Sequence, residues 1–270
     1  MAGSAIGTTR RDSGTPMLIT PSRDNLNKIV VLNPKGGCGK TTLATNIASY
    51  YAKLGSPPTL MDCDPQGSSM RWLETRDESR PPIHGIAAYK RTMQATRSWQ
   101  LRVPNETENL IVDSQASLNH DQLRELTRDA TSILVPVLPS SIDIHAASKC
   151  IADLLLVAKV DRRDNKLAVV ANRVKPQTNS FDTLMRFLDS LGIPIIAVMR
   201  DSQNYIRATE EGIGICDLAP HKVRKDMDAM NQIIYWLDSW RDRGRNGRPQ
   251  AAPPLGGNVT PFRKPNLHSV

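Results

Sequence analysis

Asn33-Pro34-Lys35-Gly36-Gly37-Cys38-Gly39-Lys40-Thr41-Thr42 follows an apolar run and opens a stretch of helical periodicity. Its residue types are those of a phosphate cradle. Small residues let consecutive backbone N–H groups converge on phosphate oxygens, and a helix N-terminus adds positive potential. A lysine then neutralises charge and a hydroxyl holds Mg²⁺. Gly36, Gly37, Gly39, Lys40 and Thr41 meet those demands in order, with Cys38 and Thr42 completing the loop. The common spacing G-x-x-x-x-G-K-[ST] is not met, because its first glycine falls on Pro34. The stretch reads K-G-G-x-G-K-[ST] instead, and Lys35 adds a second cation where one cradle already has Lys40.

Outward from the cradle, strand-like and helical patterns alternate. Residues 28–32 form an apolar strand run, and 41–54 carry Leu43, Ile47, Tyr50 and Leu54 at helical spacing before Gly55 as a stop. Residues 59–61 predict a short strand that runs into Asp62-Cys63-Asp64-Pro65-Gln66-Gly67-Ser68-Ser69. From 71 to 109 the chain is polar, broken by Pro81, Pro82 and Pro104 and basic at Lys90, Arg91, Arg97 and Arg102; it predicts helices and loops over the site. Residues 110–112 predict a strand ending in Asp113, followed by strands at 133–137, 167–171 and 194–198 and helices at 144–160, 181–191 and about 203–211. A last helix at 226–242 places Met230, Ile233, Ile234, Leu237 and Trp240 on one stripe, which suits packing on a core better than insertion into a membrane surface because its first turns are acidic. The expectation is an α/β fold, a mainly parallel doubly wound sheet flanked by helices, of the phosphate-loop NTPase type. It comprises one domain over residues 28–242, between a flexible leader at 1–27 and a disordered basic Pro/Gly-rich tail at 243–270.

No stretch approaches eighteen consecutive apolar residues and the N-terminus lacks the apolar segment of an export signal, so a cytoplasmic protein with no membrane partner is expected. The four cysteines, Cys38, Cys63, Cys150 and Cys216, show no C-x-x-C spacing and read as reduced thiols rather than cluster ligands. Of the formal net charge of +8, residues 241–270 carry +5 and residues 1–27 carry +1, leaving +2 on 28–240. A nucleic-acid surface on the folded part must therefore be a local patch.

Parallel sheets bind ligands beyond the carboxyl ends of their strands, and the cradle, the Asp62 segment and Asp113 all follow strands. Lys40 is expected to neutralise the β- and γ-phosphates of ATP, Thr41 to ligate Mg²⁺, and Asp113 to hold the metal's water shell. Through Lys35-Gly36-Gly37-Cys38-Gly39-Lys40-Thr41 and the Asp62-x-Asp64-Pro65-Gln66-Gly67 run, the sequence resembles the ParA/MinD family of deviant Walker A ATPases over roughly residues 28–240. The resemblance implies that Lys35 reaches across an ATP-dependent homodimer to the partner's nucleotide. It also implies that Asp62 supports the Mg²⁺ and loop network, and that Asp64 orients or activates the attacking water. One departure stands out: family members usually have proline two residues after the Walker B aspartate, where this chain has Gln115. Asn172 ends a strand where related nucleotide-binding folds often place an asparagine against adenine.

The resemblance further implies nonspecific DNA binding, here by Lys222, Arg224 and Lys225 in the basic run His221–225 ahead of the last helix. It implies nucleoid association and a cargo-adaptor protein that stimulates hydrolysis, so that a plasmid, a chromosome or a protein body such as a carboxysome or chemoreceptor cluster is segregated or positioned. A MinD-like membrane-cycling regulator and an ATP-dependent metabolic enzyme on the same scaffold are the alternatives.

Overall fold

The computed structural model describes residues 26–90, 103–175 and 178–246. The proposed leader up to residue 25, Arg91, Arg97 and Arg102, and the tail from residue 247 lie outside the described residues.

Seven strands form one sheet: β1 (Asn27–Val31), β2 (Thr59–Asp62), β3 (His84–Ala87), β4 (Asn109–Asp113), β5 (Ser132–Val137), β6 (Leu167–Val174) and β7 (Ile195–Arg200). Their spatial order is β3-β2-β4-β1-β5-β6-β7, and every pairing is parallel. The near-continuous apolar runs of the inner strands follow from this, since a parallel sheet is covered by helices on both faces. The helices are α1 (Lys40–Lys53), α2 (Ser68–Thr75), α3 (His120–Thr127), α4 (Ser141–Leu156), α5 (Asn179–Ser190), α6 (Gln203–Glu210) and α7 (Pro220–Asn246). One face packs α3, α4 and α5 against residues such as Val30, Val112 and Val135. The other packs α1, α2, α6 and α7 against Ile29, Val31 and Ile111. β1 lies where the chain's course across the sheet changes direction, which opens a crevice at its carboxyl end. The cradle sits there.

Three local expectations are corrected. The segment predicted as helices and loops between 71 and 109 contains the edge strand β3, paired residue for residue with β2 from Thr59↔His84 to Asp62↔Ala87. Its sequence, His-Gly-Ile-Ala, is too short and too poor in β-branched residues to read as a strand alone; pairing with β2 supplies the order. Helix α3 is absent from the sequence-based expectation. Its signal was the capping box Asn119–Gln122, in which Asn119 Oδ1 accepts from Gln122 N at 2.8 Å and Gln122 Oε1 accepts from Asn119 N at 2.9 Å. Finally, the last helix begins at Pro220, a residue well suited to a first helical position, so Lys222, Arg224 and Lys225 stand on its opening turns rather than before it.

Helix α7 packs on β7, and Val223, Met230, Ile233, Ile234 and Leu237 are buried in the same cluster as α1. The side chain of Trp240 is outside the described residues. The expected core-packing role of this helix thus holds over the described stripe. Leu237→Ala should lower unfolding free energy by about 3 kcal/mol in urea titration, the cost of an apolar cavity, while Tyr235→Ala, at a site 47% exposed, should stay within about 0.5 kcal/mol. A helix detached from the core would show no difference between the two.

Candidate nucleotide site

The loop after β1 is shaped by two left-handed glycines, Gly37 at φ 76° and Gly39 at φ 95°, the second standing immediately before α1. A side chain at either position would be strained. At Gly39 a Cβ would also collide with the Asn172 amide. Asn33, only 2% exposed, anchors the start of the loop: its Nδ2 donates to Pro136 O at 2.7 Å and its Oδ1 accepts from Lys35 N at 2.9 Å. Lys40 Nζ donates to Lys35 O at 3.2 Å, so the second lysine's ammonium lies inside the loop while Lys35 starts from its half-buried rim. Thr42 O accepts from Asn46 Nδ2 at 2.7 Å, and Asn46 Oδ1 accepts from Ile215 N, fixing α1 to the turn before α7.

Asp113 ends β4 beside the loop and is 1% exposed. Its Oδ2 accepts from Thr41 Oγ1 at 2.8 Å and from Ser69 Oγ at 2.7 Å. Its Oδ1 is buried with no hydrogen-bond partner among the described residues. Burial pushes the Asp113 carboxyl up to about 6, with the Ser69 and Thr41 hydroxyls pulling in the opposite direction. An unpartnered buried carboxylate oxygen next to a loop hydroxyl suits a hydrated Mg²⁺ with nucleotide phosphates. The residues that would hold that group are Thr41, Asp113, Lys40 and the loop amides of 36–41.

Asp62 ends β2 and is fully buried. Its Oδ1 accepts from Asp64 N at 3.0 Å, and its Oδ2 accepts from Ser69 N at 3.0 Å and Met70 N at 3.2 Å. Burial raises the Asp62 pKa, and these three N–H donors oppose the rise. Asp62 therefore ties the acidic loop to the N-terminus of α2, where the helix dipole favours its charge. Asp64 is half-buried, with Oδ1 accepting from Gln66 N at 2.9 Å. At Gly67, φ 63°, a Cβ would meet Tyr89 Oη at 2.5 Å, which keeps this turn tight.

Lys35, Lys40, Thr41, Asp62, Asp64 and Asp113 are thus gathered at one sheet edge. Asn172 joins them from β6. Its Nδ2 donates to Cys38 O at 2.8 Å and its Oδ1 accepts from Arg173 N at 2.9 Å, so the amide, 4% exposed, braces the loop from below. Lys222, Arg224 and Lys225 are exposed on α7, apart from the cradle. Sequence reading missed Asn33, Ser69 and Gln122. Ser69 had one signal, its place seven residues after Asp62 at a helix start. Gln122 matters through Gln115, whose Nε2 donates to Ser117 O at 3.0 Å and Gln122 Oε1 at 3.4 Å. Side-chain bonds to Ser117 and to the cap of α3 thus hold the loop at Gln115. The four cysteines are free thiols, and burial raises Cys38.

Asp113 binds its proton in the folded, metal-free protein up to about pH 6, whereas the unfolded carboxyl releases it near 3.8. Protonation therefore favours the fold at low pH, and that contribution is lost as pH rises through about 6. In EDTA, Asp113→Asn should raise the urea midpoint over wild type at about pH 8, the gap closing near pH 4, while Mg²⁺-dependent ATP turnover is abolished. A gap that does not change with pH would show that Asp113 does not hold its proton more tightly in the folded protein.

Residues 29–215 match the CobQ/CobB/MinD/ParA nucleotide binding domain family. A protein for maintenance of carboxysome distribution, from Halothiobacillus neapolitanus, is 29% identical over 210 residues, covering 76% of this chain and 94% of the relative. Among solved structures, apo McdA of Cyanthece superposes with a TM-score of 0.62 at 14% identity, covering 77% of this chain and 99% of that one. A plasmid partition protein of Borrelia burgdorferi B31 bound to AMPPNP gives 0.58 at 14% identity, covering 77% and 98%. With the family matched over most of its length and with the cradle, Thr41, Asp113 and the Asp62–Asp64 loop gathered at the carboxyl edge of a parallel sheet, the chain belongs to the CobQ/CobB/MinD/ParA family and is a ParA-like ATPase.

Proposed function

We propose that this protein is an ATP-driven organiser of cargo over the nucleoid. ATP joins two copies face to face, with Lys35 of each reaching the other's nucleotide. The dimer then binds DNA without sequence preference, and an adaptor protein on the cargo stimulates hydrolysis and release. The observation that carries this reading is the division of labour between the two lysines. Lys40 Nζ lies against the loop's own backbone, at Lys35 O, while the Lys35 side chain starts at the half-buried rim. A rim lysine suits a neighbouring copy better than the site that already contains Lys40.

Within one site, Lys40 and the loop amides bind the phosphates and Asp64 orients the attacking water. Asp62 keeps the Asp64 loop docked on α2, and Asn33 and Asn172 hold the cradle in shape. Mg²⁺, when bound, supplies the charge compensation that phosphoryl transfer needs, held by Thr41 and Asp113. Similarity to the Halothiobacillus protein for maintenance of carboxysome distribution supports a positioned protein body as cargo, and similarity to the Borrelia plasmid partition protein a plasmid. The burial of the α7 stripe supports DNA over a membrane as the surface on which the protein travels. The protein is then cytoplasmic and nucleoid-associated.

Static light scattering and duplex retention test the reading. Asp64→Ala protein should form dimers in ATP and monomers in ADP. The dimers should retain random-sequence DNA with a log-affinity against log-salt slope to which Lys222, Arg224 and Lys225 together contribute about −3 per protomer. Adding Lys35→Ala should remove the ATP-induced dimer. Monomers in ATP together with no salt-sensitive DNA retention would overturn the proposal.

A further inference from the structure

Strand β6 carries an irregularity beside the cradle. Ala171 pairs with Val198 but Val174 pairs with Arg200, so two residues on β6 oppose one on β7 across a bulge at Asn172–Arg173. Arg173 has φ 50°, a left-handed conformation that is strained for a non-glycine residue. Such outliers persist when neighbours over-determine them, and bulges beside functional sites re-aim side chains. Here the bulge turns Asn172 inward, under Cys38 of the cradle, and Arg173 outward.

Outside, Arg173 Nε lies 3.3 Å from Asp201 Oδ1, and Lys175 Nζ lies 3.9 Å from Asp201 Oδ2. The two cationic side chains are 58% and 75% exposed. Asp201 follows β7 directly, and its N–H donates to Val174 O at 3.0 Å. The adjoining Arg200 is a bidentate partner of buried Asp226 on α7, at 2.6 and 2.8 Å. Asn204 Nδ2 reaches Asp226 Oδ2 at 2.7 Å and Lys222 O at 3.1 Å. These bonds lock the opening turns of α7, which carry the exposed Lys222, Arg224 and Lys225, to the end of β7. The Asp201 N–H bond to Val174 O joins that end to the segment that carries Arg173 and Lys175. The Arg200–Asp226 pair is internally neutral and acts as the joint.

We propose that Arg173 and Lys175 extend the DNA surface of α7 to the edge of the cradle, and that Asp201, seated between them, is a built-in competitor of the DNA phosphate for both cations. The proposal rests on the DNA-binding reading above and adds two contacts and one restraint to it. Two sequence-remote cations with a shared carboxylate make a site a phosphate can enter by displacing that carboxylate. The bulge places this exchange one residue from the amide that braces Cys38. DNA is favoured over an anionic membrane because the joined elements present cations without an exposed apolar stripe among the described side chains of α7.

The test uses full-length Asp64→Ala protein in ATP, a random 30-base-pair duplex, and fluorescence anisotropy across a salt series. Adding Asp201→Asn should tighten binding about three- to ten-fold near 0.1 M salt and steepen the salt slope by about one phosphate contact per protomer. Arg173→Ala with Lys175→Ala should flatten the slope by about two contacts, and Asp201→Asn in that background should change nothing. An unchanged thermal midpoint for Asp201→Asn separates charge from folding. Binding unchanged or weakened by Asp201→Asn, with the parent still retaining DNA in ATP, overturns this proposal and leaves the DNA reading intact. A parent that retains no DNA overturns both. Tightening seen only on phosphatidylglycerol vesicles overturns the DNA assignment of this surface.

Discussion

A single buried carboxylate organises the site. Asp113 leaves water at the end of β4, and its Oδ2 accepts hydroxyls from Thr41 of the cradle and Ser69 of α2. Removing a carboxylate from water is costly unless donors compensate, and these two hydroxyls compensate only in part. The remainder appears as the raised pKa and the unpartnered Oδ1. The carboxylate thus holds in reserve the affinity that a metal would use.

Ser69 connects the two acidic loops through one residue. Its hydroxyl goes to Asp113 and its N–H goes to Asp62, whose other oxygen holds the N–H of Asp64. Movement of α2 is therefore felt by both acids. A second brace, Gln115 to Gln122, ties the loop after Asp113 to the cap of α3 on the other face of the sheet. The two acidic loops are thus held by helices of both layers.

The cradle is read from below in a similar way. Asn33 binds it to β5 through Pro136 O, and Asn172 binds it to β6 through Cys38 O. Both amides are buried, and each spends an N–H and its oxygen on the cradle or its flank. Asn172 thus supports the loop from the strand beneath it. The strain at Arg173 belongs to the same element, since Arg173 N donates to the Asn172 amide oxygen.

How much of this was legible in the chain depends on the range of the interaction. Periodicity and spacing are local, so the alternating strands and helices, the cradle from Gly36 to Thr41, the Asp62–Asp64 run and Asp113 could all be read without a structure. β3 could not, because four weak residues become a strand only by pairing with β2. The start of α7 was misjudged because its basic first turns carry little apolar periodicity, although Pro220 marks them. By itself, the sequence determined the parallel α/β class, the family and the chemistry of the nucleotide loop, because those depend on residue types at fixed short spacings. Only the tertiary structure decided which polar groups face one another. Ser69 meets Asp113 across 44 residues, Asn172 meets Cys38 across 134, and Asp201 stands between Arg173 and Lys175 because parallel strands bring their carboxyl ends to one edge.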